Sequence, residues 1–545
     1  MADSAYDGFG LLKNVDIETY PGAVKAQRTT ASQFHVALSS TFTADSTTDI
    51  ITVAGGVVPI TGTAVTVSNS GGALPAGLSA ATIYFVIFIS STTFQLATTI
   101  LNANANTAID ITNNGSGTNT VVTVNPGTIK YYAKDHRTTT LFAQDSNARV
   151  WVAEGSDAAQ FLLLNGNTLT DGSGNGISLF LNSDSSATYL FAFRNAAIDV
   201  VNVFGTSNIE NPSWSNSWKP MDGTGSGTNN PHYSIVGQDN IVYFTDGRFI
   251  GSILENLGQV FTPGNGATFN YNNHALDTPQ TEILQWLEEL GINLLAAGGT
   301  FNYIYPWDRV SSSFNLPLAV PEIGVKRLKN SGGIVYILAG GKGNIYTTQG
   351  TFVTKFRKIP GYAVDDGSSS APVTWGGIAL RTGNLLVGVG SSISANSGVY
   401  VVYPDGRILM DNIPSTGSGN ATALFAENDL YHIGRANGAD RVLGTGARYS
   451  GAQSIVQSKL YEVGDKIHPG TFVTLEMQLG RPSTGSAVVS WRPDTSSAFV
   501  DLATFNGDSV ATSFTSDVAL TGIENIQIQL TVNGAMEVME LRLFP

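Results

Sequence analysis

The chain has 545 residues and a formal net charge of −14, from 28 Lys or Arg and 42 Asp or Glu residues. Only 13% of its residues are charged, about half the usual share for a globular protein. The hydrophobic content of 42% supplies a core and excludes disorder as the default state. Binding to nucleic acid requires clustered Lys and Arg to neutralise the backbone phosphates, and this acidic chain has few. We therefore expect no sequence-specific nucleic-acid partner.

Cysteine is absent, which excludes disulfides, cysteine-based zinc sites and cysteine nucleophiles. The N-terminal sequence MADSAYDGFGLLKN has no basic region followed by an apolar one, so no signal peptide is predicted. The longest apolar run, Thr82–Ile89, has the length of a strand, far short of the roughly 18 residues of a membrane helix. We therefore expect a soluble protein that is made in a cytoplasm and has no membrane span.

Abundant Gly, Ser, Thr and Asn beside Val, Ile, Tyr and Phe predict an all-β chain with many tight turns. Residues 1–35 form an N-terminal segment with a strand candidate at Asn14–Thr30. This strand could join the last repeat of the region that follows. Such closure would remove a free sheet edge.

Residues 36–128 are rich in Thr, Ser, Asn and Gly, with no Lys or Arg between Val36 and Ile129. Alternating polar and apolar runs occur at Asp49–Val53, Ala64–Ser68, Ile83–Ile89, Thr93–Ala97 and Thr120–Val124. This pattern predicts an inserted Ig-like β-sandwich of about 90 residues.

Residues 129–446 contain a repeated pattern in which a nearly apolar strand is followed by a Gly-containing turn and an alternating strand. The apolar members are Arg149–Ala153, Thr188–Phe193, Asn240–Thr245, Asn293–Gly298, Gly333–Ala339, Asn384–Gly390 and Asp429–Gly434. Their spacing of about 40 to 53 residues is typical of blades, which predicts a β-propeller of about seven blades. The sequence leaves six, seven or eight blades open.

The apolar members are predicted to be inner strands, because inner strands pack against blades on both sides. Phe352–Ile359 and Arg407–Ile413 alternate as outer strands should. Asp246-Gly247 and Asp405-Gly406 are predicted hairpin turns. Thr281–Leu290 has helical spacing of apolar residues, but the repeat requires a strand there, and we favour the strand slightly.

Residues 447–545 show a fresh alternation that predicts a second β-sandwich, of jelly-roll type. The alternating runs are Thr471–Leu479, Ala487–Arg492, Ser509–Phe514, Ile526–Val532 and Met536–Leu543.

Motifs for catalysis or cofactor binding are not evident. The six histidines form no HxxxH or HxH pair, so no metal site is predicted. Gly340–Asn344 lacks the spacing of a phosphate-binding loop and is interpreted as a turn. There is no GxSxG motif. We therefore predict no enzyme activity, no catalytic residues and no cofactor.

Two loops combine aromatic residues with proline. They place Trp214, Trp218 and Trp307 beside prolines, and Arg309 follows the last of these. Exposed Trp beside Arg is typical of interaction surfaces, so these four residues are the candidate interaction surface. The alternative, weighed equally, is that these rings fill gaps between blades.

Several segments resemble proteins of tailed bacteriophages. Ala73–Thr98, with its LPAGL turn and TFQLA strand, followed by Thr107–Thr123, resembles a small β-sandwich module of phage virion proteins. Tyr305–Arg309, Gly343–Ile359 and Trp375–Gly390 resemble propeller-bearing minor tail proteins. The segment 458–482 is similar to the domain that ends such proteins.

The resemblance implies a structural protein of the virion tail, with a nozzle, hub or fibre-docking role. It implies other tail proteins as partners, a homo-oligomeric ring in the particle, and location in the tail after synthesis in the host cytoplasm. The alternative is a receptor- or glycan-binding tail-tip protein that contacts the host surface. A glycan-cleaving tail enzyme is less favoured.

Overall fold

A computed structural model describes residues 9–13, 30–34, 37–135, 137–138, 140–153, 160–164, 174–181, 187–194, 197–221, 233–256, 269–359, 373–390, 397–406, 408–412, 420–427, 430–442, 454–458, 461–464, 468–479, 485–494, 497–507, 510–534, 536 and 538–544. The fold in this part is nearly all β, with only two one-turn helices, which confirms the predicted class. The chain begins with two short strands, β1 (Phe9–Lys13) and β2 (Thr30–Ser32). The rest of the predicted strand Asn14–Thr30 lies outside the described residues.

The inserted module is a closed six-stranded barrel with the strand order β3-β4-β7-β6-β5-β8. Its elements are β3 (Ser39–Asp45), β4 (Ile50–Val53), β5 (Ala64–Ser70), β6 (Ile83–Phe88), β7 (Thr93–Ala97), α1 (Ile100–Asn104) and β8 (Thr118–Thr123). The predicted Ig-like sandwich is wrong, because β8 pairs with both β3 and β5 and so closes the sheet on itself. Alternating runs are common to both architectures, and only strand pairing distinguishes them.

Four-stranded antiparallel sheets follow in chain order. The first contains β9 (Ile129–Lys134), β10 (Leu141–Asp145), β11 (Val150–Ala153) and β12 (Leu162–Leu163). The second contains β13 (Gly174–Leu181), β14 (Thr188–Arg194), β15 (Ala197–Asn202) and β16 (Ser215–Pro220), with α2 (Thr206–Glu210) before the last strand. The third contains β17 (Ser234–Val236), β18 (Val242–Asp246), β19 (Phe249–Glu255) and β20 (Phe269–Asp277).

The next sheets repeat this order. The fourth contains β21 (Leu284–Leu290), β22 (Asn293–Gly298), β23 (Tyr303–Trp307) and β24 (Leu318–Ala319). The fifth contains β25 (Val325–Ser331), β26 (Ile334–Ala339), β27 (Asn344–Thr348) and β28 (Val353–Lys358). The sixth set contains β29 (Thr374–Arg381), β30 (Asn384–Gly390), β31 (Gly398–Val402) and β32 (Ile408–Asn412).

The last of these sheets takes one strand from the N-terminal segment. It contains β33 (Ala423–Glu427), β34 (Leu430–Arg435) and β35 (Gly438–Val442), and β2 pairs antiparallel with β35 as the fourth strand. The first strand of each sheet contacts the first strand of the next, and β33 contacts β9 again. Thr422 also donates a hydrogen bond from Oγ1 to the carbonyl oxygen of Ile129, at 2.5 Å. The sheets therefore follow one another around an axis, as in a β-propeller.

The apolar segments that were predicted to be innermost strands are in fact the second or third strands of their sheets, counted outward from the axis. Six of the seven apolar segments are second strands of their sheets, and Arg149–Ala153 corresponds to a third strand, β11. The second strand there, β10, is equally buried but includes Gln144 and Asp145, whose polar atoms are hydrogen-bonded. The sequence pattern identified the most apolar strand rather than the innermost one. A first strand borders the axial space and carries more polar side chains.

The local predictions within the repeat agree well with the structure. Thr281–Leu290 contains strand β21 and not a helix, which confirms the favoured interpretation. Gly247 and Gly406 adopt φ values of 60° and 89° in hairpin turns, as predicted. Arg407–Ile413 contains β32, but this strand is paired on both sides because β1 runs parallel to it.

The C-terminal region contains two sheets. Its strands are β36 (Ser454–Ser458), β37 (Tyr461–Glu462), β38 (Gly470–Leu479), β39 (Gly485–Arg492), β40 (Val500–Asn506), β41 (Ser513–Ile523), β42 (Asn525–Gly534) and β43 (Val538–Phe544). One sheet has the order β41-β38-β43. The other, β36-β42-β39-β40, is joined through β1 to β32 of the sixth set. Met477 of the first sheet and Val489 of the second belong to one apolar core.

Candidate functional site

Trp214 and Trp218 lie in gaps between neighbouring sheets. Both are half-buried. Trp214 packs against a cluster that contains Phe142 of the first sheet and Leu190 of the second. The Trp218 ring centroid lies 5.7 Å from that of Phe269 in the third sheet. These contacts match the gap-filling alternative of the sequence analysis.

Trp307 and Arg309 connect the third and fourth sheets. Trp307 is only 4% exposed, and its Nε1 donates to the carbonyl oxygen of Ser311 at 2.7 Å. The Arg309 guanidinium pairs with Asp239 at 3.2 Å and also with Glu289. Asp239 lies in the turn between β17 and β18, so Arg309 ties that turn to the fourth sheet. The four predicted interaction residues thus occupy successive gaps between sheets and do not come together on one exposed surface.

Buried glutamates occupy equivalent places before two first strands. Glu282 accepts hydrogen bonds from the Thr300 amide at 2.9 Å and from the Tyr305 hydroxyl at 2.8 Å. One sheet later, Glu322 accepts from the Tyr346 hydroxyl at 2.8 Å and from Asn344. A buried carboxylate stabilises a fold when fixed donors satisfy its oxygens. These acids hold the turns between strands.

Ion pairs across adjacent strands hold other buried acids. Asp199 accepts from Arg194 at 2.9 Å in the second sheet, and Asp440 accepts from Arg435 at 3.0 Å in the last. Each pair joins a second strand to a third strand. The carboxylates of these pairs therefore stabilise the sheets in which they lie.

His432 is a buried link between the ends of the sheet region. It is 3% exposed, and its Nδ1 lies 3.0 Å from Oε1 of Gln33. Burial, followed by the positive charges of Arg441 and Lys134, lowers the pKa of His432 to about 3. The ring is therefore neutral at pH 7 and joins the residue after β2 to β34. In the described ranges, no group of three His, Asp or Glu side chains could hold a metal ion.

An axial space runs between the first strands of the sheets. It consists of two adjoining cavities of about 290 Å³ and 300 Å³, and both are lined by Lys130, Tyr131 and Arg327. Lys130 and Tyr131 belong to β9, and Arg327 belongs to β25. The first cavity also contains Gln285 and Thr374. The axis therefore brings together polar side chains from sheets that are distant in sequence.

Arg327 is held in place by the cavity wall. Its Nε donates to the carbonyl oxygen of Gly376 at 2.9 Å, and Nη1 donates to that of Lys326 at 2.8 Å. Its Cζ atom lies 4.6 Å from the centroid of the Trp286 ring. That ring is stacked on Tyr233 with a centroid distance of 3.5 Å. These contacts fix the guanidinium beside the axis.

The sequence analysis missed Lys130, Arg327, Tyr131 and Trp286. No local motif contains them, since Lys130 and Arg327 are almost 200 residues apart in the sequence. A signal was nonetheless present: charged residues in the strand before an apolar strand, as in Ile129–Lys134 and Val325–Ser331. Only the circular order of the sheets makes such positions neighbours.

Comparison with known proteins gives no family. No protein-family profile and no curated protein matches the chain. Among solved structures, the β-propeller domain of Cps50 (Swd1) from Myceliophteria thermophila is similar with 10% identity and a TM-score of 0.39, over 59% of this chain and 98% of that one. The computationally designed Ika8 protein shows 12% identity and a TM-score of 0.35, over 72% of this chain and 100% of that one.

A third similar structure is Raptor from Chaetomium thermophilum, with 12% identity, a TM-score of 0.42, and coverage of 59% of this chain and 29% of that one. Similarities at these TM-scores do not define the fold, which is instead described by its strand pairings. No helix in the described ranges is long and apolar enough to cross a membrane.

Proposed function

We propose that this chain is a non-enzymatic structural protein of a bacteriophage tail, with a nozzle, hub or fibre-docking role. We also infer that the seven sets of four strands are the blades of a seven-bladed β-propeller, and that the two C-terminal sheets form a jelly-roll-like sandwich. The proposed partners of this protein are other tail proteins and further copies of the same chain, arranged in a ring. The virion tail is the proposed location.

The observation that carries the proposal is the packing of the barrel against the first and last sheets, where the circle of sheets closes. The barrel includes Ala73–Thr98, the segment that resembles a phage virion module. Its Phe85, Ile100 and Ala103 pack in one apolar cluster with Trp151 of the first sheet and Ala439 of the last. A module fixed by an apolar core presents its outer face in a constant orientation, which suits assembly.

Continuity of the strands supports the same role. The chain joins the sixth set of strands to the C-terminal region through β1, which pairs with both β32 and β36. Backbone hydrogen bonds across this junction couple the two regions directly. Carboxylates such as Glu282 and Glu322 are engaged by fixed donors, which agrees with the proposed absence of catalysis.

The proposal is tested on purified particles of the phage that encodes the chain. Mass spectrometry should find the protein in intact particles, and immunogold labelling should place it at the tail. A cryo-electron microscopy map should show it as a ring of copies with fixed neighbours. Absence from purified particles would contradict the proposal.

A glycan array and a hydrolysis assay on the purified protein distinguish the structural role from the receptor- or glycan-binding alternative. Neither binding nor turnover is expected, because Trp218 and Trp307 are packed between sheets rather than displayed. Binding without turnover would favour the tail-tip role. Turnover would overturn the non-enzymatic assignment.

A further inference from the structure

The axial space contains positive charge that no carboxylate neutralises directly. Lys130 and Arg327, which line both cavities, have no ion-pair partner among the described residues. By contrast, Lys329, which lines the second cavity, pairs with Glu288 at 3.3 Å. This is unusual in a chain with a net charge of −14, because acidic partners are abundant elsewhere.

The carboxylate of Asp145, which acts electrostatically on Lys130, is already engaged. Asp145 raises the pKa of Lys130 slightly, but burial and the charge of Arg327 outweigh it and lower that pKa. Asp145 accepts hydrogen bonds from the Gly127 amide at 2.9 Å and from Trp151 Nε1 at 3.0 Å. Its charge therefore serves the turn before β9 rather than the cavity.

Arg327 retains donor capacity toward the cavity. Its Nε and Nη1 donate to carbonyl oxygens, whereas Nη2 makes no hydrogen bond to the described part of the chain. Burial lowers the pKa of Arg327, and the same effect together with the charge of Arg327 lowers that of Lys326. A group that carries negative charge would relieve both the desolvation and the mutual repulsion.

The remaining wall offers neutral donors. Gln285 and Thr374 line the first cavity beside Lys130. Burial raises the pKa of Tyr131, so its phenol stays protonated at neutral pH and cannot add a competing negative charge. The cavity of about 290 Å³ has room for a tetrahedral oxyanion with some of its hydration water.

From this geometry we propose that the axial cavity is a binding site for a divalent oxyanion, a phosphate or sulfate group, held by Lys130 and Arg327. Two cations that converge on one space match a dianion better than a monoanion. A phosphate or sulfate group also accepts several hydrogen bonds at once, which suits the threonine and glutamine side chains of the first cavity. The ligand would join β9 to β25 across the axis.

The test is calorimetric titration of the full chain with sodium phosphate, sodium sulfate and sodium acetate at constant ionic strength. Saturable binding of phosphate and sulfate is expected, with acetate weaker. Lys130→Gln and Arg327→Gln should each weaken phosphate binding about tenfold or more, because each removes a charged hydrogen-bond donor. Absence of saturable phosphate and sulfate binding, or tighter binding of acetate, would overturn the proposal.

Arg357 provides a matched control. Its Nε donates to the carbonyl oxygen of Gly406 at 3.0 Å and its Nη1 to that of Phe356 at 3.0 Å, in the same pattern as Arg327, but on the outermost strand β28. Arg357→Gln should leave phosphate affinity unchanged. An equal loss in this variant would mean a general charge effect and would refute the site.

Folding of the variants is checked by thermal unfolding. Without phosphate, Lys130→Gln should melt at or above the wild-type temperature, since it removes repulsion from Arg327. At the same phosphate concentration, the wild type and Arg357→Gln should gain more stability than Lys130→Gln and Arg327→Gln. If Arg327→Gln does not fold, Lys130→Gln alone decides the question: wild-type affinity in that variant overturns the proposal.

Discussion

The pH dependence of stability should report the burial of His432. This side chain is 3% exposed, and its ring centroid lies 6.3 Å from that of Tyr132 and 6.1 Å from that of Phe425. The charged groups that act on it, Arg441 and Lys134, are both positive. Protonation would therefore place a third positive charge in an apolar setting, at the point where the N-terminal segment meets the last sheet.

The sign and size of the effect follow from the two pKa values. The pKa of His432 is about 3 in the folded state, against 6.5 for an unperturbed histidine. Below pH 6.5 the unfolded chain binds a proton that the folded chain does not, so the free energy of unfolding is highest above pH 6.5 and falls as the pH drops toward 3. Between pH 7.5 and pH 4.5 the loss from this group is about 2–3 kcal/mol.

The assay is urea unfolding of the wild type and of His432→Gln at pH 7.5 and pH 4.5. Other groups titrate in both proteins, so the difference in free energy of unfolding between them isolates His432. This difference should shift by about 2–3 kcal/mol in favour of the variant at the lower pH. Phe425→Leu is the control, and its cost should be the same at both pH values. A wild-type–to–His432→Gln difference that stays constant with pH would refute the reasoning.

Two further predictions concern buried contacts, one between sheets and one within a sheet. Gly376→Ala should destabilise the protein by about 1–3 kcal/mol or more, because its Cβ would lie 1.7 Å from the carbonyl oxygen of Ala421. Gly55→Ala, in open space, is the control, and equal midpoints in urea for the two variants would contradict the packing. Tyr305→Phe should cost about 1–3 kcal/mol by removing a donor to buried Glu282, measured in the same way. An unchanged midpoint would show that this hydroxyl is not required.

The repeat could be predicted from the sequence because each unit contains a short apolar run and a turn that are recognisable locally. Apolar strands such as Asn293–Gly298 and Asn384–Gly390 are buried after their first residue, and the sequence pattern predicts their bounds to the residue. Within Thr281–Leu290 the local spacing of apolar residues was equally compatible with a helix and a strand. The repeat favoured a strand, and the structure has one there. Periodicity across the chain thus carried more information than the local pattern.

Pairing between distant residues could not be predicted in this way. The closed barrel depends on β8 pairing with both β3 and β5, and alternation alone does not specify partners. The depth of Trp307 depends on contacts with Tyr243 in another sheet. Lys130 and Arg327 become neighbours only after the sheets take their circular order. Each of these features lies in tertiary contacts, which a single sequence does not display.

Strand β2 of the N-terminal segment closes the ring of sheets by pairing with β35. Ala31 lies directly opposite Arg441 in the β2–β35 pair. Since the chain has no cysteine, the double variant Ala31→Cys, Arg441→Cys contains a single possible intramolecular disulfide, with a Cα separation suited to one. The control places the second cysteine at Glu427 on β33, at the other edge of the same sheet.

The measurement is peptide mapping of the oxidised monomer by mass spectrometry. Ring closure predicts nearly complete cross-linking between positions 31 and 441 and none between 31 and 427. Failure of the first pair to cross-link in the folded monomer, or equal cross-linking of both pairs, would contradict a ring closed by β2.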